Sequence, residues 1–141
     1  MRSEQRKLTR LRRLEKIRAL ARQQAAQQAA EAEGTLAQMS ALAERTRAMA
    51  DGYRDLRAIG DGQALRQQAQ FTRCLAGITQ ATSRDAASAQ AMADLRQQEL
   101  ALAERRRAAV EDRAAAGERA LAQRHSHPAS AARKQIGTGL E

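Results

Sequence analysis

Two long stretches of this chain contain almost nothing that stops a helix. Residues 3–58 hold no proline and two glycines, Gly34 and Gly52; residues 63–124 hold no proline and again two glycines, Gly77 and Gly117. Between them stands Ile59-Gly60-Asp61-Gly62, a compact turn signal. Ala, Arg, Gln, Glu and Leu dominate the stretches, and all five are strong helix formers. Bulky apolar side chains are scarce. Leu, Ile, Val and Phe make up 20 of 141 residues, below what a globular core needs, while alanine alone supplies 34. A β protein, an α/β enzyme fold and a disulfide scaffold are thereby disfavoured. What remains is a long helical, coiled-coil-like object or a disordered chain.

Periodicity decides for the coiled coil. Stepping four and three from Ala21 gives Ala21, Ala25, Gln28, Ala32, Thr35, Met39, Leu42, Thr46, Met49, Tyr53 and Leu56, with no charge on the row. In a chain that is 29% charged, an uncharged row of this length is a heptad seam. After the turn, Phe71, Leu75, Ile78, Thr82, Ala89 and Met92 continue the pattern; Asp85 breaks the phase, which then shifts to Leu95 and Leu102 and loosens to Val110 and Leu121. A hairpin centred on the turn pairs residues whose numbers sum to 121 or 122, setting Phe71 and Leu75 beside Met49 and Tyr53. The expected fold is all-α: two long helices in an antiparallel coiled-coil hairpin over residues 1–124. Helix one covers about 3–58, the turn 59–62 and helix two about 63–124; a flexible tail over 125–141 follows His125-Ser126-His127-Pro128. Each helix would be roughly 80–90 Å long, and the hairpin is expected to be a monomer.

Charge is concentrated at one end. Residues 1–22 carry nine basic groups against Glu4 and Glu15, which is +7 of the total +9. Arg105, Arg106, Arg107, Arg113, Arg119 and Arg124 return alongside them and add about +2 against four acidic groups. Such a cationic pole calls for an acidic partner. Leu8, Leu11, Leu14, Ile17 and Leu20 recur there every three residues. Three residues advance 300°, so this row slips around the helix, and a single partner helix cannot cover it all. Arg6, Lys7, Arg10, Leu11, Arg13, Leu14 and Arg18 are therefore the candidate docking residues, offering cationic and apolar contacts together.

No catalytic constellation, phosphate-binding glycine loop or metal-ligand cluster is present. His125 and His127 lack further ligands nearby, and Cys74 reads as a structural thiol. No cofactor, small-molecule substrate or enzymatic activity is expected. A single cysteine suits a reducing cytosol. No stretch approaches the ~20 apolar residues of a membrane span, and the start lacks the apolar run of a secretory signal. Specific nucleic-acid binding is not expected: the positions after the basic stretch make a poor dimer zipper, and no aromatic platform exists.

The chain resembles the flagellar export protein FliJ, the central-stalk family of type III secretion. The resemblance rests on Leu11-Arg12-Arg13-Leu14-Glu15-Lys16-Ile17, Ala50-Asp51-Gly52-Tyr53-Arg54-Asp55-Leu56, the run Gln70 to Gln80 with Phe71, Leu75 and Ile78, and the run Leu102 to Glu111; it covers roughly residues 5–124. It implies a non-enzymatic stalk whose basic pole docks into the hexameric export ATPase and promotes ring assembly. The turn-proximal half would reach an export-gate membrane protein and export chaperones through Met49, Tyr53, Phe71 and Leu75. The resemblance implies a place in the cytoplasm, peripheral at the inner membrane, in bacterial flagellum biogenesis. The alternative is a structural or nucleic-acid-associated coiled coil that dimerises.

Overall fold

A computed structural model describes the backbone of residues 1–55 and 61–133, with side chains up to residue 126. Helix α1 spans Arg2–Asp55 and α2 spans Gly62–Arg133. They pack against each other as an antiparallel hairpin, an orientation fixed by cross-helix pairs such as Arg12 with Glu118 and Arg124 with Glu4. Leu56, residues 57 and 58 of the expected first helix, and Ile59 and Gly60 of the expected turn lie outside the described residues. Asp61 begins the second helix. Its Oδ1 accepts the Ala64 N–H at 3.0 Å and its carbonyl accepts the Leu65 N–H at 3.2 Å. That is an N-cap, which satisfies amide groups a helix start otherwise leaves unpaired.

The second helix does not end at residue 124. It runs through His125, Ser126, His127 and Pro128 to Arg133, where the sequence predicted a tail. Pro128 removes one backbone donor, a local loss. Ala129, Ala131, Ala132 and Arg133 then supply helix-forming residues. The remainder of the expected tail, 134–141, lies outside the described residues.

The hairpin divides into two compact units, Met1–Gln24 with Ala101–Glu141, and Ala25–Leu100. In the second of these, α1 covers Ala25, Ala29, Ala32, Leu36, Met39, Ala43, Thr46 and Ala50 against α2, a clean four–three alternation. On α2 the matching row is Thr72, Leu75, Thr79, Thr82, Ala86, Ala89, Ala93, Arg96 and Leu100, with Ala64, Gln68 and Ser83 also half-buried. Half of the expected seam is present: Ala25, Ala32, Met39, Thr46, Leu75, Thr82 and Ala89. The other half is displaced by one residue. Ala29, Ala43 and Ala50 are buried where Gln28, Leu42 and Met49 were expected, and Leu36 is half-buried where Thr35 was expected; on α2, Ala93 is buried where Met92 was expected. Leu42, Met49, Phe71, Ile78 and Met92 are 44–54% exposed on the flank of the seam. Small seam residues let two helix backbones approach closely, since interaxial distance follows the side chains at the contact. The bulk is then pushed to the flank. Asp85 breaks nothing: it is exposed, and Ala86 carries the seam past it.

The register also differs. Tyr53 and Phe71 meet edge-on with ring centroids 4.7 Å apart and Leu8 lies against Gly117, so facing numbers sum to 124 or 125 rather than 121 or 122. In that register, Ala50 comes level with Leu75, Ala43 with Thr82 and Leu36 with Ala89, so large side chains meet small ones. The buried hydroxyls cost little, because Thr46 donates to the Leu42 carbonyl at 2.7 Å and Thr82 to the Thr79 carbonyl at 3.1 Å.

Candidate docking surface of the arginine-rich unit

In the unit of Met1–Gln24 and Ala101–Glu141, Leu8 and Leu11 of α1 share a crevice with Gly117 and Leu121 of α2, Leu8 lying against Gly117. Val110 and Ala114 are its buried residues. The core is thin, and ion pairs brace it. Arg12 Nη2 reaches Glu118 Oε1 at 2.6 Å, Arg22 reaches Glu104 at 3.6 Å, and Arg124 pairs with Glu4. Each pair is exposed, so each is worth under about 1 kcal/mol. Their larger consequence is electrostatic: these acidic groups are consumed by arginines that bridge the helices.

Among the arginines of this unit that make no ion pair among the described residues, four stand together on α1: Arg2, Arg6, Arg10 and Arg13. They are spaced four, four and three, which keeps them on one helical face. With Gln5 and Thr9 they line a shallow depression of about 350 Å³. The same face continues by steps of four and three to Ile17 and Leu20, which are 60% and 61% exposed. Over these nineteen residues, about 27 Å from first to last along the helix, every position of the stripe is open. It therefore presents a cationic half and an apolar half to anything that covers it.

The stripe contains three of the seven residues expected to dock: Arg6, Arg10 and Arg13. Leu14 stands beside it at 36% exposure. Lys7 and Leu11 face the other way, into a crevice of about 230 Å³ whose walls include Leu8, Gly117, Leu121 and Arg124. Arg18 is half-buried on the seam. Arg2, Ile17 and Leu20 were not among the expected residues, yet their spacing is legible: the row from Arg2 to Leu20 holds four arginines and two large apolar groups at helical intervals. The leucine row separates as its 300° step requires. Leu8 and Leu11 turn to α2, while Leu14, Ile17 and Leu20 rotate progressively outward.

Near the turn, Met49, Tyr53 and Phe71 are 54%, 37% and 44% exposed, whereas Leu75 is a buried seam residue with no surface to offer a partner. Cys74 is exposed. Among the described residues, no group of three His, Cys, Asp or Glu side chains converges as metal ligands would, and no helix is long and apolar enough to cross a membrane. No protein-family model, curated protein or solved structure matches the chain.

Proposed function

We propose that this protein is a non-enzymatic coiled-coil stalk of the bacterial flagellar type III export apparatus, a FliJ-like hairpin that docks into the hexameric export ATPase and promotes its assembly. The observation that carries this reading is the open stripe Arg2-Arg6-Arg10-Arg13-Ile17-Leu20. Its arginines favour encounter with an acidic surface, and its two apolar side chains gain from burial in a groove, the way amphipathic helices are commonly held. Exposed Met49, Tyr53 and Phe71 are the side chains near the turn that the same reading assigns to the export gate and export chaperones.

The test is a pull-down with the cognate export ATPase beside a control with random duplex DNA. The triple variant Arg6→Glu, Arg10→Glu, Arg13→Glu is expected to keep its helix content, because all three positions are exposed, and to lose ATPase binding and stimulation. If that variant keeps ATPase binding while losing tight DNA binding, the stalk reading fails and a nucleic-acid-associated coiled coil replaces it.

A further inference from the structure

The face of α1 that carries Arg2, Arg6, Arg10 and Arg13 holds no acidic group. The acidic residues of α1 in this unit are Glu4 and Glu15. Both are half-buried on the side turned to α2, about 180° around the helix from the stripe. Glu4 is also held there by Arg124. The depression between the arginines is lined by guanidinium groups, the Gln5 amide and Thr9, whose hydroxyl donates back to the Gln5 carbonyl at 2.9 Å. No carboxylate is among the lining groups. Because α2 packs on the opposite side, the whole stripe can rest on one flat surface.

We propose that the stripe also binds the surface of an anionic phospholipid bilayer, and that the chain passes between bilayer and ATPase through it. The charge complementarity is specific in kind. Guanidinium groups give phosphate oxygens paired, charge-assisted hydrogen bonds. Exposed Lys16, beside Ile17, adds a fifth positive charge to the four arginines. Each basic side chain close to an anionic leaflet raises affinity about fivefold. Ile17 and Leu20, 60% and 61% exposed, continue the same line and can enter below the headgroups. A small apolar anchor beside a basic patch is how a chain holds reversibly to a membrane without crossing it. Neither half suffices alone, since two side chains bury too little area and exposed charges are screened by salt.

One helix face takes one partner at a time, so lipid and ATPase exclude each other on it. The lipid contact stands on the geometry of the stripe; the exchange rests in addition on the ATPase reading.

The test is co-sedimentation of the full chain with vesicles of mixed phosphatidylglycerol and phosphatidylethanolamine, beside neutral vesicles of phosphatidylcholine. Binding is expected to the anionic vesicles alone. Arg6→Gln with Arg10→Gln should weaken it roughly 25-fold, about fivefold for each charge. Ile17→Ser with Leu20→Ser should weaken it roughly tenfold. All four positions are exposed, so helix content should hold. The chain has no tryptophan, so Leu20→Trp supplies a single reporter. Its emission should shift to the blue on anionic vesicles and be quenched by lipids brominated in the acyl chain. Ala108→Trp, at an exposed position of α2, should show neither effect. Adding the cognate ATPase should relieve the quenching. Absence of binding to anionic vesicles overturns the lipid contact. So does a vesicle-bound Leu20→Trp whose emission stays unshifted, or release of the parent by glycerol phosphate at matched phosphate concentration, which would mark a site for free phosphate. Quenching that persists under saturating ATPase overturns the exchange. The two readings fail separately: vesicle binding without ATPase capture in the lipid-free pull-down strikes the stalk, and ATPase capture without vesicle binding strikes the lipid contact.

Discussion

The Cδ1 methyl of Leu8 lies 3.6 Å from the point where a β-carbon on Gly117 would stand. That is ordinary van der Waals contact, so the glycine is not there to avoid a clash. It lies inside a regular helix, and none of the described glycines has positive φ. What Gly117 does is leave room: it forms part of the wall of the crevice beside Leu8 and Leu11.

Gly117→Ala should therefore stabilise the hairpin. Alanine gains about 0.8–1 kcal/mol over glycine inside a helix, and its methyl gains contact with Leu8. Thermal denaturation should show a rise of about 2–4 °C for each kcal/mol in a chain of this size. A fall in Tm would mean that the helices close on each other more tightly here than the 3.6 Å contact indicates.

The phase of the seam can be checked by paired substitutions. Ala43 is 7% exposed and Ala41 is open to solvent, two residues away on the same helix. Ala43→Leu should destabilise by about 1–3 kcal/mol through overpacking, while Ala41→Leu should stay within about 0.5 kcal/mol, as surface changes usually do. Leu75→Ala removes a bulky seam residue and should cost about 2–4 kcal/mol. Chemical denaturation of the three variants separates the phases: in the phase drawn from the bulky residues alone, position 43 is off the seam and Ala43→Leu should be harmless.

The helical class, the hairpin and its antiparallel sense were legible in the sequence because they follow from long uninterrupted helix-forming stretches around one turn signal. The face was legible only by half. Bulky side chains pointed to Leu42, Met49, Phe71, Ile78 and Met92, and in most helices bulk marks the core. Here alanine fills the seam, and an alanine on the seam reads no differently from the many alanines off it. Asp85 consequently looked like a defect, although it lies on the flank. The charged pole was evident from composition. Which arginines are free was not, because ion pairing of Arg12, Arg22 and Arg124 depends on residues more than 80 positions away. The end of α2 escaped because one proline outweighed the helix formers on both sides of it.

Asp61 is the clearest local determinant of where α2 starts. Asp61→Ala removes the acceptor for the Ala64 N–H and should cost about 1 kcal/mol, with Asp61→Ser or Asp61→Asn recovering most of it. Hydrogen exchange should show the first-turn amides of α2 losing protection in Asp61→Ala while Thr79 and Ala93, deep in the seam, keep theirs. Uniform loss of protection would mean that the cap is needed for the whole hairpin.

The two halves of the arginine stripe should respond differently to salt. Arg2, Arg6, Arg10 and Arg13 are exposed and unpaired among the described residues, so their pull on an acidic partner is screened beyond about 8–10 Å near physiological ionic strength. Ile17 and Leu20 gain from burial by shedding water, and that gain does not depend on charge. Fully covering one such side chain is worth about 1.5–3 kcal/mol, and since both are already about two-fifths covered, at 60% and 61% exposure, roughly half of that remains to be gained on docking. Ile17→Ala and Leu20→Ala should each weaken ATPase binding about three- to tenfold, by the same factor at low and high salt, because 1.4 kcal/mol is a tenfold change. Arg6→Gln and Arg10→Gln should act mainly on the association rate, with an effect that shrinks as salt rises. Surface plasmon resonance at two ionic strengths resolves both quantities. If the isoleucine and leucine variants bind as well as the parent at every salt concentration, the apolar half of the stripe is not covered in the complex, and the contact is electrostatic alone.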